Sequence, residues 1–272
     1  MIAQTLRSLL FYVLFIGFTI LLAIPLGIVA ALKKGFFPFG LKVGFFWARA
    51  NLFLLRWLVG IRTEVTGFQN IPEGGCIIAA KHQSDWDIFA ILPHTVRPAF
   101  IAKRELLDIP FFGWAAKALG TISVDRAKGA EAIPAMLEDA ARAIDEGARI
   151  VIFPEGTRRA PLAPPQYRIG TARLYEALNV PVVPVALNSG LFWGRNSPVL
   201  WPGKAKARFL EPIPPGLPAD EFRAVLESRI EAATNELILD AVRAGLARPI
   251  PPALRRQIDA LEKTAASAQG TG

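Results

Sequence analysis

Cysteine occurs once in 272 residues, at Cys76, which excludes an internal disulfide and any multi-cysteine metal site. Within the apolar run Cys76-Ile77-Ile78-Ala79-Ala80 that thiol is expected to be a small buried core group. Histidine is almost as scarce, with His82 and His94 the two examples. Negative charge is missing from the N-terminal region: no Asp or Glu precedes Glu64, whereas Arg7, Lys33, Lys34, Lys42, Arg49, Arg56 and Arg62 all do. Beyond Arg62 the charges nearly cancel, so the net +8 belongs to one end of the chain. That placement argues against nucleic acid as a partner and for an anionic bilayer surface. There is no internal repeat, no Gly-x-Ser-x-Gly nucleophile elbow, and no motif for a metal, nucleotide or flavin.

What is present is apolar. Hydrophobic residues make up 52% and charged residues 20% of the chain, which is more apolar and less charged than an average soluble domain. Leu9 to Leu32 carries no formal charge and exceeds the roughly 20 apolar residues that cross a bilayer as a helix. A signal peptide is the competing reading, but its apolar core is usually shorter, about 7 to 15 residues. Lys33 and Lys34 after the run, against Arg7 before it, place the remainder in the cytoplasm by the positive-inside rule. From Phe39 to Val59, Lys42, Arg49 and Arg56 recur every seven residues and form one helical stripe, with Phe45, Phe46, Leu52, Phe53 and Trp57 covering other faces. Such a helix fits an interfacial position, cations towards headgroups; an ordinary domain helix with snorkelling bases fits as well.

From about Arg62 short β-prone runs alternate with helical ones. Strands are predicted at 63–67, 76–80, 99–102, 121–124, 149–153, 180–187 and 206–210, with helices near 86–92, 111–119, 128–146 and 170–178. This alternation predicts an α/β fold, a central mostly parallel sheet flanked by helices and preceded by an N-terminal two-helix membrane segment. Pro181 and Pro184 interrupt strand pairing and favour an edge position or a shaping role for their strand. After Pro212-Ile213-Pro214-Pro215 a long amphipathic helix is predicted from Ala219 to about Ala247, then a short one around Leu254, Ile258 and Leu261. The expected divisions are a membrane-associated helical pair (1–60), an α/β core (61–215), C-terminal amphipathic helices (216–263) and a disordered tail (264–272).

The stretch Ala80-Lys81-His82-Gln83-Ser84-Asp85-Trp86-Asp87 leaves a buried strand, turns, and enters a helix. It puts an imidazole at a strand's carboxyl end, where open α/β sheets bind ligands. On one continuous helix His82 and Asp87 would point about 140° apart; with Ser84 as N-cap and Asp87 in the first turn they can meet. Asp87 would then accept from one imidazole nitrogen while the other faces a substrate, the base and orienter of a triad. Ser84-x-x-Asp87 equally fits a capping box, with Asp87 satisfying helix amides. With no nucleophile elbow in the chain, His82 is better read as deprotonating a substrate hydroxyl.

His82-Gln83-Ser84-Asp85-Trp86-Asp87 resembles the H-x-x-x-x-D motif of the glycerolipid acyltransferases, and Phe153-Pro154-Glu155-Gly156-Thr157-Arg158 resembles their F-P-E-G-T-R motif. Between them, Gly120 to Arg126 looks like the second motif, and Val180 to Val185 like the fourth. Ala102-Lys103-Arg104-Glu105-Leu106 agrees further, so the resemblance covers roughly Gly67 to Gly190. It departs at Tyr167-Arg168-Ile169-Gly170, where the family often has Phe-Lys-x-Gly. Within the family the chain resembles the 1-acyl-sn-glycerol-3-phosphate acyltransferases. That resemblance implies His82 and Asp87 as catalytic residues, and Lys103, Asp125, Arg126, Glu155, Gly156, Thr157 and Arg158 as substrate-binding residues. Arg158 offers a planar fork for phosphate oxygens, Arg126 and Lys103 further cations, and Gly156 a close backbone approach. The implied partners are membrane lipids, lysophosphatidic acid, and acyl-coenzyme A or acyl carrier protein as thioester donor, with no resident cofactor or metal. Another lysolipid acceptor such as a lyso-ornithine lipid, a serine-based lipid hydrolase using Ser84, and a non-catalytic lipid-binding module stand as alternatives.

Overall fold

The computed structural model describes residues 1–32 and 38–269, with the side chains of Arg126, Ala268 and Gln269 outside the description. Two apolar helices come first, α1 (Ile2–Leu32) and α2 (Pro38–Leu54), the latter ending in a π-helical turn, Leu55–Val59. Strands β1 (Ile61–Thr66) and β2 (Cys76–Ala80) follow, then α3 (Trp86–Ile91) and β3 (Pro98–Lys103). Next are α4 (Arg104–Leu107), α5 (Phe112–Ala118) and β4 (Ile122–Val124), and then α6 (Ile133–Asp145) and β5 (Arg149–Ile152). The chain continues through α7 (Ile169–Leu178), β6 (Val182–Leu187) and β7 (Gly203–Phe209) to α8 (Ala219–Arg243) and α9 (Pro252–Gln269).

Among the described residues the strands form one seven-stranded sheet of order β1-β7-β6-β2-β5-β3-β4. β6 pairs antiparallel with β7, and the remaining neighbours pair in parallel. Both faces are covered, as parallel strands require. Along β2 the side chains alternate between two cores: Cys76, Ile78 and Ala80 lie with Phe11, Phe89 and Trp193. Ile77 and Ala79 lie instead with Met136, Tyr175 and Phe222. Cys76 is fully buried, and burial pushes its thiol up to about 11, consistent with a core role.

All the strands predicted from the sequence are present, with β2 matching at both ends and no end shifted by more than three residues. Pro184 corrects one expectation, because β6 is an interior strand. It is tolerated there because it stands just before the β6–β7 ladder opens at Val185, and its carbonyl still accepts from Leu210 N–H at 2.8 Å. The expected tail is corrected too, since α9 continues through residues 264–269; residues 270–272 lie outside the description. Lys33 and Lys34, on which the expected orientation rests, also lie outside it.

Helix α1 is long and apolar enough to cross a membrane, with a mean hydropathy of 2.7 over its most apolar window. It is also fastened to the α/β domain. Gln4 Nε2 donates to Leu200 O at 2.7 Å and to Val59 O at 3.2 Å. Buried Ser8 Oγ accepts from Leu200 N–H at 2.9 Å, and Tyr12 Oη donates to Ser197 O at 2.6 Å. Phe11 packs edge-on to Trp193. Near the other end of the helix, a Cβ on Gly27 would sit 2.5 Å from Phe111 O, so glycine permits the close seam between α1 and the start of α5.

On α2 the exposed face differs from the expected separation of cations and aromatics. Lys42, Arg49 and Arg56 are exposed, and so are Phe46, Phe53 and Trp57, with the Arg56 guanidinium 5.6 Å from the Trp57 ring. Phe45 and Leu52 pack inward instead. Cations and aromatics therefore alternate along one surface, because spacings of three and four residues both return to the same helix face.

Candidate active site

The sheet places the sequence motifs together. β2, β5, β3 and β4 are adjacent and mutually parallel, so their carboxyl ends open on the same edge. Those ends carry His82 after β2, Phe153 to Arg158 after β5, Lys103 closing β3, and Asp125-Arg126 after β4.

At the end of β2 the chain turns as the dyad requires. His82 Nδ1 lies 2.9 Å from Asp87 Oδ2. The same oxygen accepts from Gln83 N–H at 2.7 Å and Ser84 N–H at 3.0 Å. The other carboxylate oxygen accepts from Ser84 Oγ at 3.2 Å and from Ser189 Oγ. Asp87 is wholly buried, and the His82 side chain is 15% exposed. The dyad contact and the hydrogen bonds to the turn thus coexist: one carboxylate holds both the amides of the turn and the imidazole. Helix α3 itself begins after Asp85, and Ser84 Oγ accepts from Trp86 N–H at 3.2 Å.

Since the carboxylate can only accept, the proton of the neutral imidazole sits on Nδ1, and Nε2 is left as a free base. Phe153 stacks on the imidazole with ring centroids 3.9 Å apart and planes 18° from parallel, which fixes the ring plane. His82 O also accepts from Arg159 N–H at 2.8 Å, tying the two main motifs together through the backbone. Phe153 and Ser189 are the contributors that sequence reasoning missed. Phe153 stood in a quoted motif without a role, and Ser189 follows the fourth motif by only a few residues.

His82 lines a cavity of about 480 Å³. Its walls are mostly apolar: Leu22 and Leu26 of α1, Trp47 of α2, and Phe100, Leu107 and Ala115 from β3, α4 and α5. The lining also includes the polar groups Asp85, Lys103, Thr157 and Arg158, together with Gly156. Gly156 has φ +67°, a left-handed turn that glycine adopts without strain. Arg158 Nη1 donates to Asp85 Oδ2 at 2.6 Å, and Lys103 Nζ lies 2.7 Å from Glu105. Burial pushes the Asp85 carboxyl above the usual carboxylate range, while the nearby Arg158 opposes that rise.

Two of the expected substrate contacts lie elsewhere. Glu155 is 1% exposed in its side chain and pairs with buried Lys81 at 3.1 Å; it turns behind the site rather than into the cavity. Lys81 in turn reaches Glu231 of α8 at 2.7 Å, and Glu231 accepts from Tyr167 Oη at 2.9 Å. Burial raises the Glu155 pKa and Lys81 opposes the rise. Asp125 caps the turn that follows it, accepting from Ala127 N–H at 3.2 Å, and lies 3.6 Å from Arg104. The Arg126 side chain lies outside the described residues.

Fold and site together define the class: an α/β domain with a His–Asp pair lining a largely apolar pocket. Residues 62–188 match the family model described as Acyltransferase. The chain is 34% identical over 203 residues to the 1-acyl-sn-glycerol-3-phosphate acyltransferase of Pseudomonas aeruginosa, covering 74% of this chain and 77% of that protein. It is 32% identical over 185 residues to the human 1-acyl-sn-glycerol-3-phosphate acyltransferase alpha, covering 66% of this chain and 65% of that protein. The crystal structure of the 1-acyl-sn-glycerophosphate acyltransferase of Thermotoga maritima has the same fold, with a TM-score of 0.70 at 24% identity over 86% of this chain and 97% of that one. The chain belongs to the acyltransferase family.

Proposed function

We propose that the protein moves a fatty acyl group from a thioester to the sn-2 hydroxyl of 1-acyl-sn-glycerol 3-phosphate, giving phosphatidic acid for phospholipid biosynthesis. The observation that carries this reading is the His82–Asp87 pair, 2.9 Å apart, opening on an apolar cavity with Arg158 and Lys103 beside it. The relatives named above support the choice of acceptor.

In the reaction His82 Nε2 takes the proton of the sn-2 hydroxyl as its oxygen attacks the thioester carbonyl. Asp87 stabilises the imidazolium that forms. Collapse of the tetrahedral intermediate breaks the C–S bond, and the departing thiolate takes the proton back from His82. No acyl-enzyme is needed, and no resident cofactor, since the thioester arrives already activated from acyl-coenzyme A or acyl carrier protein. Arg158 and Lys103 hold the acceptor's phosphate, and the loop of Gly156 and Thr157 frames it, so that two lipids meet as an oriented pair.

A serine hydrolase fits poorly, because Ser84 and Ser189 are buried and both hydroxyls are spent on Asp87. We place the protein at the cytoplasmic membrane with the sheet on the cytoplasmic side. Apolar α1 and the mixed cationic and aromatic face of α2 support that siting, since acceptor and product live in the bilayer.

The test is acyl transfer by purified protein in detergent micelles, supplying lysophosphatidic acid with oleoyl-coenzyme A or acyl carrier protein thioester, alongside His82→Ala. Product from the wild type and a fall of about 10²- to 10⁴-fold in the variant, with lysolipid binding retained, is the expected result. Equal rates would remove His82 from the mechanism. Turnover only with a phosphate-free lysolipid would reassign the acceptor.

A further inference from the structure

The mechanism uses His82 and Asp87 and leaves Asp85, between them, without a task. We propose that Asp85 is a specificity-determining residue of the headgroup site: an internal counter-anion that occupies Arg158 until the acceptor's phosphate displaces it. The inference rests on the phosphorylated acceptor proposed above and adds what sets its affinity.

Asp85 is presented to the cavity rather than used by the helix it precedes. It makes no side-chain cap hydrogen bond at the start of α3, and it lines the cavity together with Arg158. Its neighbours hold it in place. Gln83 N–H and Ser84 N–H are bound to Asp87, and Trp86 Nε1 donates to Thr63 Oγ1 at 3.0 Å. The Arg158 backbone is equally fixed, because the next residue, Arg159, bonds His82 O. Two rigid segments thus bring a carboxylate to 2.6 Å from a guanidinium, with the Arg158 and Asp85 side chains 28% and 38% exposed. A ligand can reach that pair.

The chemistry of the exchange follows from charge. Arg158 without a partner would be a partly shielded cation in the same cavity as Lys103, and Asp85 offsets its charge in the empty site. A phosphate monoester brings up to two negative charges and three strong acceptor oxygens against one carboxylate, so it can take the guanidinium. A zwitterionic or neutral headgroup has no such surplus and leaves the internal pair intact. The same pattern recurs at the neighbouring strand ends, where Lys103 pairs with Glu105 and Arg104 with Asp125. Asp85 thereby weakens phosphate binding while holding Arg158 against headgroups of lower negative charge, and by returning to Arg158 it assists departure of a product that keeps the same phosphate.

The experiment compares wild type with Asp85→Asn and Asp85→Ser, both of which suit a helix start. The readouts are KM for lysophosphatidic acid, KM for lysophosphatidylcholine, and the affinity for inorganic phosphate measured by titration. Both variants are expected to bind phosphate and lysophosphatidic acid about three- to tenfold more tightly, and this gain is expected to vanish when Arg158→Ala is added. If Asp85 merely positions Arg158, the variants will bind phosphate more weakly, and the proposal falls. Unchanged affinity overturns it as well. Absence of turnover on lysophosphatidic acid by the wild type would instead sink the acceptor assigned above, while the phosphate titration would still read the exchange at Arg158.

Discussion

Two carboxylates of one hexapeptide, Asp87 and Asp85, live under opposite conditions. Asp87 is fully buried and accepts hydrogen bonds from three backbone and side-chain groups on one oxygen and from two hydroxyls on the other. Asp85 is over a third exposed and holds a single guanidinium. The difference separates the two halves of the site. In the proposed reaction the base stands in its reactive tautomer before any substrate arrives, and its support is accordingly saturated and dry. In the proposed reaction the headgroup side exchanges partners at every turnover, and its ion pairs are exposed, each worth little on its own.

Substitutions can strain that comparison from its strongest member down. Asp87→Asn should lower turnover by about 10²- to 10⁴-fold by spoiling the tautomer, while Asp87→Ala should also lose stability, at about 1–3 kcal/mol for each buried donor left without an acceptor. Initial rates and urea unfolding would separate the two losses. Lys81→Met removes the cation between Glu155 and Glu231 and should cost about 3–5 kcal/mol in unfolding measurements. Glu155, already pushed up by burial, would then rise further. A carboxyl raised in the folded state stabilises at low pH and loses that contribution as pH climbs through its folded value, so this variant should be more stable at pH 5 than at pH 8.

On the exchanging side the effects should be smaller and appear in binding. Arg158→Ala should raise KM for the phosphorylated acceptor by about tenfold or more, the loss of one charge-assisted contact, with little change in kcat. Ser189→Ala removes one of five donors to Asp87 and should cost only about 0.5–1.5 kcal/mol, seen as a fall of a few fold in kcat. A large effect of Ser189→Ala with a small one of Asp87→Asn would reverse the assignment of the two halves.

What the sequence made legible was what depends on short spacing. The turn from His82 to Asp87, the motif at Phe153 to Arg158, and the alternation of β-prone and helical runs are local patterns, and each appears where it was expected. What stayed hidden depends on partners far along the chain. Glu155 was assigned to substrate by resemblance, yet Lys81 and Glu231 turn it inward; Glu231 is 76 residues away and sits in an unremarkable amphipathic helix. Pro184 suggested an edge because a missing amide donor is a local fact, whereas the point at which β7 begins to pair is not. The support that Ser189 gives Asp87 crosses 102 positions and leaves no periodic trace.

The polar fastening of α1 has a consequence in time. Gln4 and Ser8 find their partner at Leu200, 196 and 192 positions later. At about 5–20 residues per second, the ribosome delivers that partner about 10–40 s after the helix. Until then α1 can pack only on elements made earlier, such as α2 and the start of α5, and its first turns stay unfastened. The helix that walls the cavity is therefore secured at its start only when the segment between β6 and β7 has been made.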